Sequence, residues 1–505
     1  MYSSKLAASK NKICDKDTLL RLLGFLVSAF LGALFFSETT SPIFSDWGYD
    51  SAMFQTIGKY WAQGYLPYVS LFDHKGPFIF LINAIGYAIC DRTGVFIIQV
   101  LFLTVDEYLA WRLLSKCFSK FFSFAAAFLL PVVLAANWQL GNTTEEYILP
   151  FLFASYMLML NWSDSLKQGE YEHRPLHAFI YGLCFAFALL TRVTNALGVC
   201  VGVAFIVVML VLKGKWKNLG QNALAFILGV AVFVVPMCIY FAVHGALYDM
   251  WYGTLIFNFD YLSDSGLAAP DGIFDFLSLI RKYLTGWCLV AAAALALIFR
   301  KKERTGMLFW LLIALTNTLF MYTLNDYAHY GIVLLPLLYV ALYLLGKEYF
   351  GVERERERTL LRAVAMCMSA IVLVSSGLKI YRLETDYKKP TAYAYEDYGD
   401  DCTTLISFIP EDERDSFVAF DCPRRLYLKT GIKPAFRFFT LQQWMSSHSE
   451  SFTETLRSEF EESNVKWVMT FNLYSDPFVT TDIINEKYTQ VAETENGMYR
   501  LYCLK

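Results

Sequence analysis

Charge is what this chain has least of. Asp, Glu, Lys and Arg make up 18% of its 505 residues, against about 25% in soluble domains, while 56% of the residues are hydrophobic and 17% aromatic. With a formal net charge of only -3, that balance excludes a water-soluble globule and a basic nucleic-acid-binding surface alike. Histidine is scarce too, at six, and the eleven cysteines show no C-x-x-C pair and no Cys/His spacing of a zinc site, which points to apolar packing. Of Cys402, Cys422 and Cys503 near the C-terminus, at most one pair can form a disulfide. No internal repeat or low-complexity tract is found.

What fills the space is apolar sequence in lengths that suit a bilayer. Thr18–Phe36 follows Lys5, Lys10, Lys12 and Lys16, is long enough to cross ~30 Å of hydrocarbon, and has no good cleavage site behind it, so it reads as a retained anchor with a cytoplasmic N-terminus. If Phe78–Cys90 lies along the outer interface, spans follow at Val95–Trp111, Phe121–Ala136, Tyr147–Asn161, Ala178–Thr191, Ala196–Leu212, Leu224–Val243, Leu284–Phe299, Met307–Thr323, Gly331–Gly346 and Ala363–Ser376. The expected fold is therefore a mainly α, polytopic membrane bundle of about 11 transmembrane helices plus outer interfacial helices. In that arrangement the basic clusters around Lys116, Lys167, Lys215, Lys301 and Arg356 all face the cytoplasm, as the positive-inside rule demands. The GVERERER stretch, Gly351–Arg358, is then a solvated cytoplasmic face.

One outer loop stands out. Residues 37–77 carry Asp46, Asp50, Asp73 and Lys75 beside the membrane, where ionisable groups are costly and normally purposeful. After Asp50, the residues Met53, Phe54, Ile57, Tyr60 and Trp61 share one helical face, and Ser51, Gln55, Lys59 and Gln63 the other, the pattern of a helix lying in the interface. Gly64 ends that helix, and an extended run from Pro67 to Phe72 delivers Asp73-His74-Lys75 to the helix opening at Pro77. Asp50 sits where the helix dipole favours a carboxylate.

The tail, 381–505, is expected to be a separate, small extracytoplasmic α/β domain behind the membrane portion 1–380. Phe417–Cys422 and Lys466–Asn472 read as strands, Ser451–Glu462 as a helix between them, and Tyr488–Glu495 with Met498–Cys503 as a hairpin through Asn496-Gly497. It is rich in acid and carries no G-x-G-x-x-G, P-loop or Asp-x-Asp motif, so a nucleotide site there is not expected.

The order Asp50, a gap, Gly64, Pro67-Tyr68, Asp73, Lys75 and Pro77 resembles the bacterial membrane glycosyltransferases of the GT-C superfamily, in particular those similar to protein O-mannosyltransferases and to aminoarabinose transferases that modify lipid A (glycosyltransferase family 39-like). The family's usual Asp-Glu appears here as Asp50-Ser51 and its Lys-Pro-Pro as Lys75-Gly76-Pro77; Thr144-Glu145-Glu146 and His329-Tyr330 ahead of Pro336 are further matches. The resemblance implies a hexosyl- or pentosyltransferase using a polyprenyl-phosphate-linked sugar, drawn from the bilayer of a bacterial cell membrane, on an envelope glycan, lipid or protein acceptor at the outer face.

A single inverting displacement needs one carboxylate base, for which Asp50 is the candidate and Asp46 the substitute. The leaving phosphate needs cations, for which Lys75 comes first, with Arg192 and His329 beside it. Asp73, Glu145, Glu146 and Tyr330 are candidates for acceptor or substrate contacts, with Asp73 also placed to orient Lys75. A divalent cation is compatible with these acids, although no spacing demands one. The aromatic and acidic loop His244–Lys282 reads as a substrate lid. Asp106-Glu107, deep in a span, reads as inward-facing packing. The rival readings are a glycan polymerase or ligase using a diphosphate donor, a transporter or flippase, and a noncatalytic scaffold; a transporter would place its ionisable residues near mid-membrane on repeated, broken helices, which this chain does not.

Overall fold

The computed structural model describes residues 16–44, 47–137, 140–259, 287–288, 290–294, 304–321, 327–351, 359, 363, 402–471 and 479–505. Five helices among them are long and apolar enough to cross a membrane: Lys16–Phe36, Pro77–Leu114, Val193–Leu212, Trp216–Val243 and His329–Lys347. The helices Leu149–Ser165, Pro175–Leu189 and Arg304–Phe320 pack among them. Their contacting faces are drawn together by small residues. Gly182 and Gly229, for example, lie so close that a Cβ on either would meet the opposite main chain at 2.1 and 2.2 Å, the small-residue packing that membrane helices use in place of a hydrophobic drive. The spans expected at Leu284–Phe299 and Ala363–Ser376, and the Gly351–Arg358 stretch, fall largely outside the described residues.

Two expectations change. Phe121–Ala136 is not one continuous helix but two short ones in succession, Lys120–Phe128 and Leu130–Asn137; Pro131 lacks the N–H that would bond back across the junction and its ring crowds the preceding turn. Pro131 is also where Gly32 of the first helix makes its closest approach, with room for no side chain. Phe78–Cys90 and Val95–Trp111 run into one another as Pro77–Leu114, broken by non-helical backbone at Cys90 and Asp91, where Asp91 takes φ 44°. At ~1.5 Å per residue the part after the break is by itself sufficient to cross a bilayer, and the part before it is too short. Asp106 and Glu107 face inward, fully buried, as expected.

Near the C-terminus a four-stranded sheet forms in the order β1-β2-β4-β3 from β1 (Phe417–Phe420), β2 (Trp467–Phe471), β3 (Tyr488–Glu493) and β4 (Tyr499–Leu504). β1 and β2 are parallel, joined by a crossover that includes the amphipathic helix Glu450–Glu462, whose Phe452, Leu456 and Phe460 are buried. β3 and β4 form the expected hairpin, with Gly497 at φ 68° in its turn. One main-chain and one side-chain hydrogen bond fasten this α/β unit to the outer loop: Phe72 N–H donates to the Arg437 carbonyl at 2.8 Å, and the Tyr60 hydroxyl to the Gly431 carbonyl at 3.2 Å.

Candidate active site

Asp50 opens the helix Asp50–Ala62, but that helix does not float at an interface with its polar face in water. Gln55 and Thr56 are fully buried and Ser51 nearly so. Gln55 Nε2 donates to the Thr39 carbonyl and to Ser51 Oγ, both at 3.0 Å, while Tyr87 OH donates to Gln55 Oε1 at 3.2 Å. The first half of the polar stripe, Ser51 and Gln55, is thus satisfied by the long helix and by neighbouring loops, while Gln63 at its far end is exposed. With one wall fixed in this way, Asp50 is held at the mouth of a cavity.

The second wall is the Lys75 corner. The expected extended run is bent: Pro67 and Leu71 pair across a turn in which Tyr68, fully buried, takes a left-handed φ of 69°. That unusual conformation for an aromatic residue turns the Tyr68 hydroxyl onto the Lys75 carbonyl at 2.7 Å. Gly76 then lies on the chain before Arg192: its N–H bonds the Thr191 carbonyl at 2.9 Å, Phe78 N–H bonds the Leu190 carbonyl at 2.8 Å, and a Cβ on Gly76 would meet Leu190 main-chain atoms at 2.2 Å. The close approach places Lys75 and Arg192 side by side.

Around these walls, Asp50, Phe54, Lys75, Thr143, Thr144, Glu145, Arg192, His329 and Tyr330 line one cavity of about 260 Å³ including its open mouth. Six of the nine residues singled out in the sequence meet there. Arg192 does not reach for solvent; it pairs with Glu145 at 2.7 Å and lies 3.6 Å from the centroid of the Tyr330 ring, which in turn packs edge-on against His329. Glu145 sits in a short helix, Thr144–Tyr147, capped by the Thr143 hydroxyl. Glu146, its neighbour, faces away from the cavity lining and bonds Gln99 Nε2 at 2.7 Å and the Gly141 N–H at 3.0 Å. Asp73 lies behind the corner and does not pair with Lys75. Its Oδ1 is 3.1 Å from His74 Nδ1, out of line for a hydrogen bond, which leaves both buried oxygens without one; His74 Nε2 is the atom within 2.6 Å of Lys75 Nζ. Asp46 lies outside the described residues.

The electrostatics follow from these partners. Burial opposes the charge on Asp50, yet Arg424, Lys75 and His329 outweigh it and hold the carboxyl well below the usual range. Burial likewise opposes Glu145, and Arg192 overrides it. Glu146, with neutral donors only, is pushed up to about 7 by burial. Lys75 is lowered by desolvation, partly offset by Asp73 and Asp50. Among the described residues no group of three or more His, Cys, Asp or Glu is arranged to hold a metal ion.

Arg424 is the residue that sequence reading did not supply: its Nη1 donates to Asp50 Oδ1 at 2.5 Å from the C-terminal unit. Its only trace in the sequence is the basic pair Arg424-Arg425 in an acid-rich tail. Of the loop read as a lid, the described part, residues 244–259, is anchored at points: Phe257 is fully buried against Phe72, His74 and Phe452 and Asp249 meets Arg437 at 3.5 Å, while Tyr248 and Phe259 are exposed. The remainder, to Lys282, lies outside the described residues.

Residues 74–241 match the family model of dolichyl-phosphate-mannose-protein mannosyltransferases. The matched stretch begins within the Lys75 corner and includes Glu145 and Arg192. In fold, the chain is similar to ArnT from Cupriavidus metallidurans bound to undecaprenyl phosphate (11% identity over 96% of this chain and 97% of that one, TM-score 0.56). It is also similar to the apo oligosaccharyltransferase from Archaeoglobus fulgidus (13% identity, 89% and 69%, TM-score 0.50). No curated protein matches it in sequence. The sequence likeness to these mannosyltransferases thus covers about a third of the chain, and the likeness in fold to ArnT runs along nearly all of it; with five helices long and apolar enough to cross a bilayer among the described residues, the chain is a multi-pass membrane protein.

Proposed function

We propose that this protein transfers a sugar from a polyprenyl-phosphate-linked donor to an acceptor hydroxyl at the outer face of a bacterial cell membrane, by a single inverting displacement. The observation that carries the reading is the cavity itself, which brings Asp50 together with Lys75, Arg192 and His329. A carboxylate and cations gathered around one cavity are what a displacement needs when one group must lose a proton and another must gather negative charge. Asp50 takes the acceptor proton; Lys75 and Arg192 receive the phosphate; Glu145 holds Arg192 in place; Tyr330 and the Thr143 and Thr144 hydroxyls offer contacts to sugar or acceptor. In this reading residues 1–380 form the transferase portion, and 381–505 an outer domain that closes over the pocket, with the N-terminus in the cytoplasm.

The fold match to ArnT bound to undecaprenyl phosphate supports a lipid phosphate as the donor's carrier. The test is release of free polyprenyl phosphate from a mixed pool of polyprenyl-phosphate sugars by the reconstituted protein. Wild type should release it, and Asp50→Asn should be slower by at least ~10²-fold, the scale of general-base catalysis. Equal release by both would remove Asp50 from this role.

A further inference from the structure

The closest partner of Asp50 comes from 374 positions away in sequence. Arg424 follows β1 after a tight turn in which Asp421 takes φ 50° and Pro423 precedes the arginine. Its side chain is 13% exposed and reaches Asp50, whose side chain is 41% exposed and lines the cavity. The groups facing Asp50 are Arg424 from the C-terminal unit, Lys75 from the head of the helix Pro77–Leu114 and His329 from the turn after Tyr327; Glu145 and Arg192 share the cavity, and Asp421 lies near Arg424. A carboxylate so paired is a poor proton acceptor, because the guanidinium stabilises the charge that a proton would quench. The same guanidinium has the geometry best matched to phosphate oxygens.

Resting on the reading of Asp50 as base, we propose that Arg424 is shared: it pairs with Asp50 before the donor arrives and passes to the donor phosphate when the donor binds, which frees Asp50 for the acceptor proton. In the step that follows, the acceptor oxygen bonds the anomeric carbon. The bond from that carbon to the phosphate oxygen breaks with its electron pair staying on phosphate, and the hydroxyl proton goes to Asp50. The new phosphate charge lies against Arg424, Lys75 and Arg192. When polyprenyl phosphate leaves, Asp50 gives its proton to water and Arg424 returns. Donor binding and base activation are thereby one event, and an acceptor entering first meets an aspartate already engaged.

Two measurements on the full chain in lipid nanodiscs test this. With undecaprenyl phosphate as the probe, Arg424→Gln should weaken binding about tenfold, the effect of one charge-assisted contact; Arg424→Lys, which keeps the charge and loses the fork, should fall between. In the transfer assay, Arg424→Gln should raise the acid limb of kcat/KM by about one pH unit or more, because free enzyme loses the partner of Asp50. The acid limb of kcat should stay in place, because donor-bound enzyme has already lost it. Unchanged undecaprenyl phosphate affinity in both variants overturns the proposal whether or not the protein turns over, and equal movement of both limbs overturns it by making Arg424 a fixed partner. Weakened binding in a protein that transfers no sugar at all would defeat the base assignment while leaving the hold of Arg424 on phosphate standing.

Discussion

Glu145 is tied to Arg192 at 2.7 Å beside the cavity, whereas Glu146, one residue on, meets Gln99 of the long helix at 2.7 Å and the Gly141 N–H at 3.0 Å. Both are essentially buried, so burial does not separate them. The partner does: a cation keeps Glu145 ionised, and neutral donors leave Glu146 at about 7. Gln99 is itself oriented, because Ser37 and Thr40 donate to its amide oxygen and turn its NH₂ toward Glu146. Glu145 therefore belongs to the cavity's charge pattern, and Glu146 to the scaffold that holds the Asn142–Thr143 corner in place.

The largest effect that would sharpen this contrast is on the cavity side. Arg192→Ala should lower sugar transfer by about 10²-fold or more, as removal of one preorganised charge-stabilising donor does, with Arg192→Lys restoring little because the bidentate fork is lost; wild-type turnover in Arg192→Ala would break the assignment. Next, Glu145→Gln should cost about 2 kcal/mol in thermal or denaturant unfolding, below the range for a fully buried pair because Arg192 keeps 16% of its side chain exposed. Gly76→Ala should cost of order 1 kcal/mol or more by forcing the Lys75 corner off residues 190–191, seen as lost stability together with lost transfer. The smallest effects appear in stability against pH. The folded pKa of Glu145 is lowered from 4.5, so its contribution is present above pH 4.5 and fades as pH falls; Glu145→Gln should remove that acid loss. The folded pKa of Glu146 is raised from 4.5 to about 7, so its protonation favours the fold below 4.5 and that advantage drains away as pH rises to about 7. Glu146→Gln should flatten this second window and leave the first untouched, and the reverse pattern would overturn the comparison.

Much of this was legible before any coordinates. The apolar runs, the hairpin through Asn496-Gly497, and the gathering of acids and cations in the outer segments are written in local residue pattern, and local pattern is what sequence periodicity reports. What stayed hidden was pairing. Nothing in Asp73-His74-Lys75 says that Asp73 turns to His74 while Lys75 looks into the cavity. Nothing in Ser51 and Gln55 says that a polar stripe finds buried partners rather than water. Arg424 was hidden most deeply, because a contact across the whole chain is set by how the α/β unit lands on the outer loop. The split of Phe121–Ala136 at Leu129, by contrast, is written in Pro131, whose ring and missing N–H interrupt a run that hydropathy alone leaves continuous.

The seams that shape the cavity have a further property. Phe72 to Arg437, Gly76 to Thr191 and Phe78 to Leu190 are joined main chain to main chain, so they ask of almost every residue only that it have a backbone. Apart from Gly76, where a Cβ would strike the main chain of Leu190, such joints are indifferent to side-chain turnover: the letters along them can be rewritten and the same architecture remain.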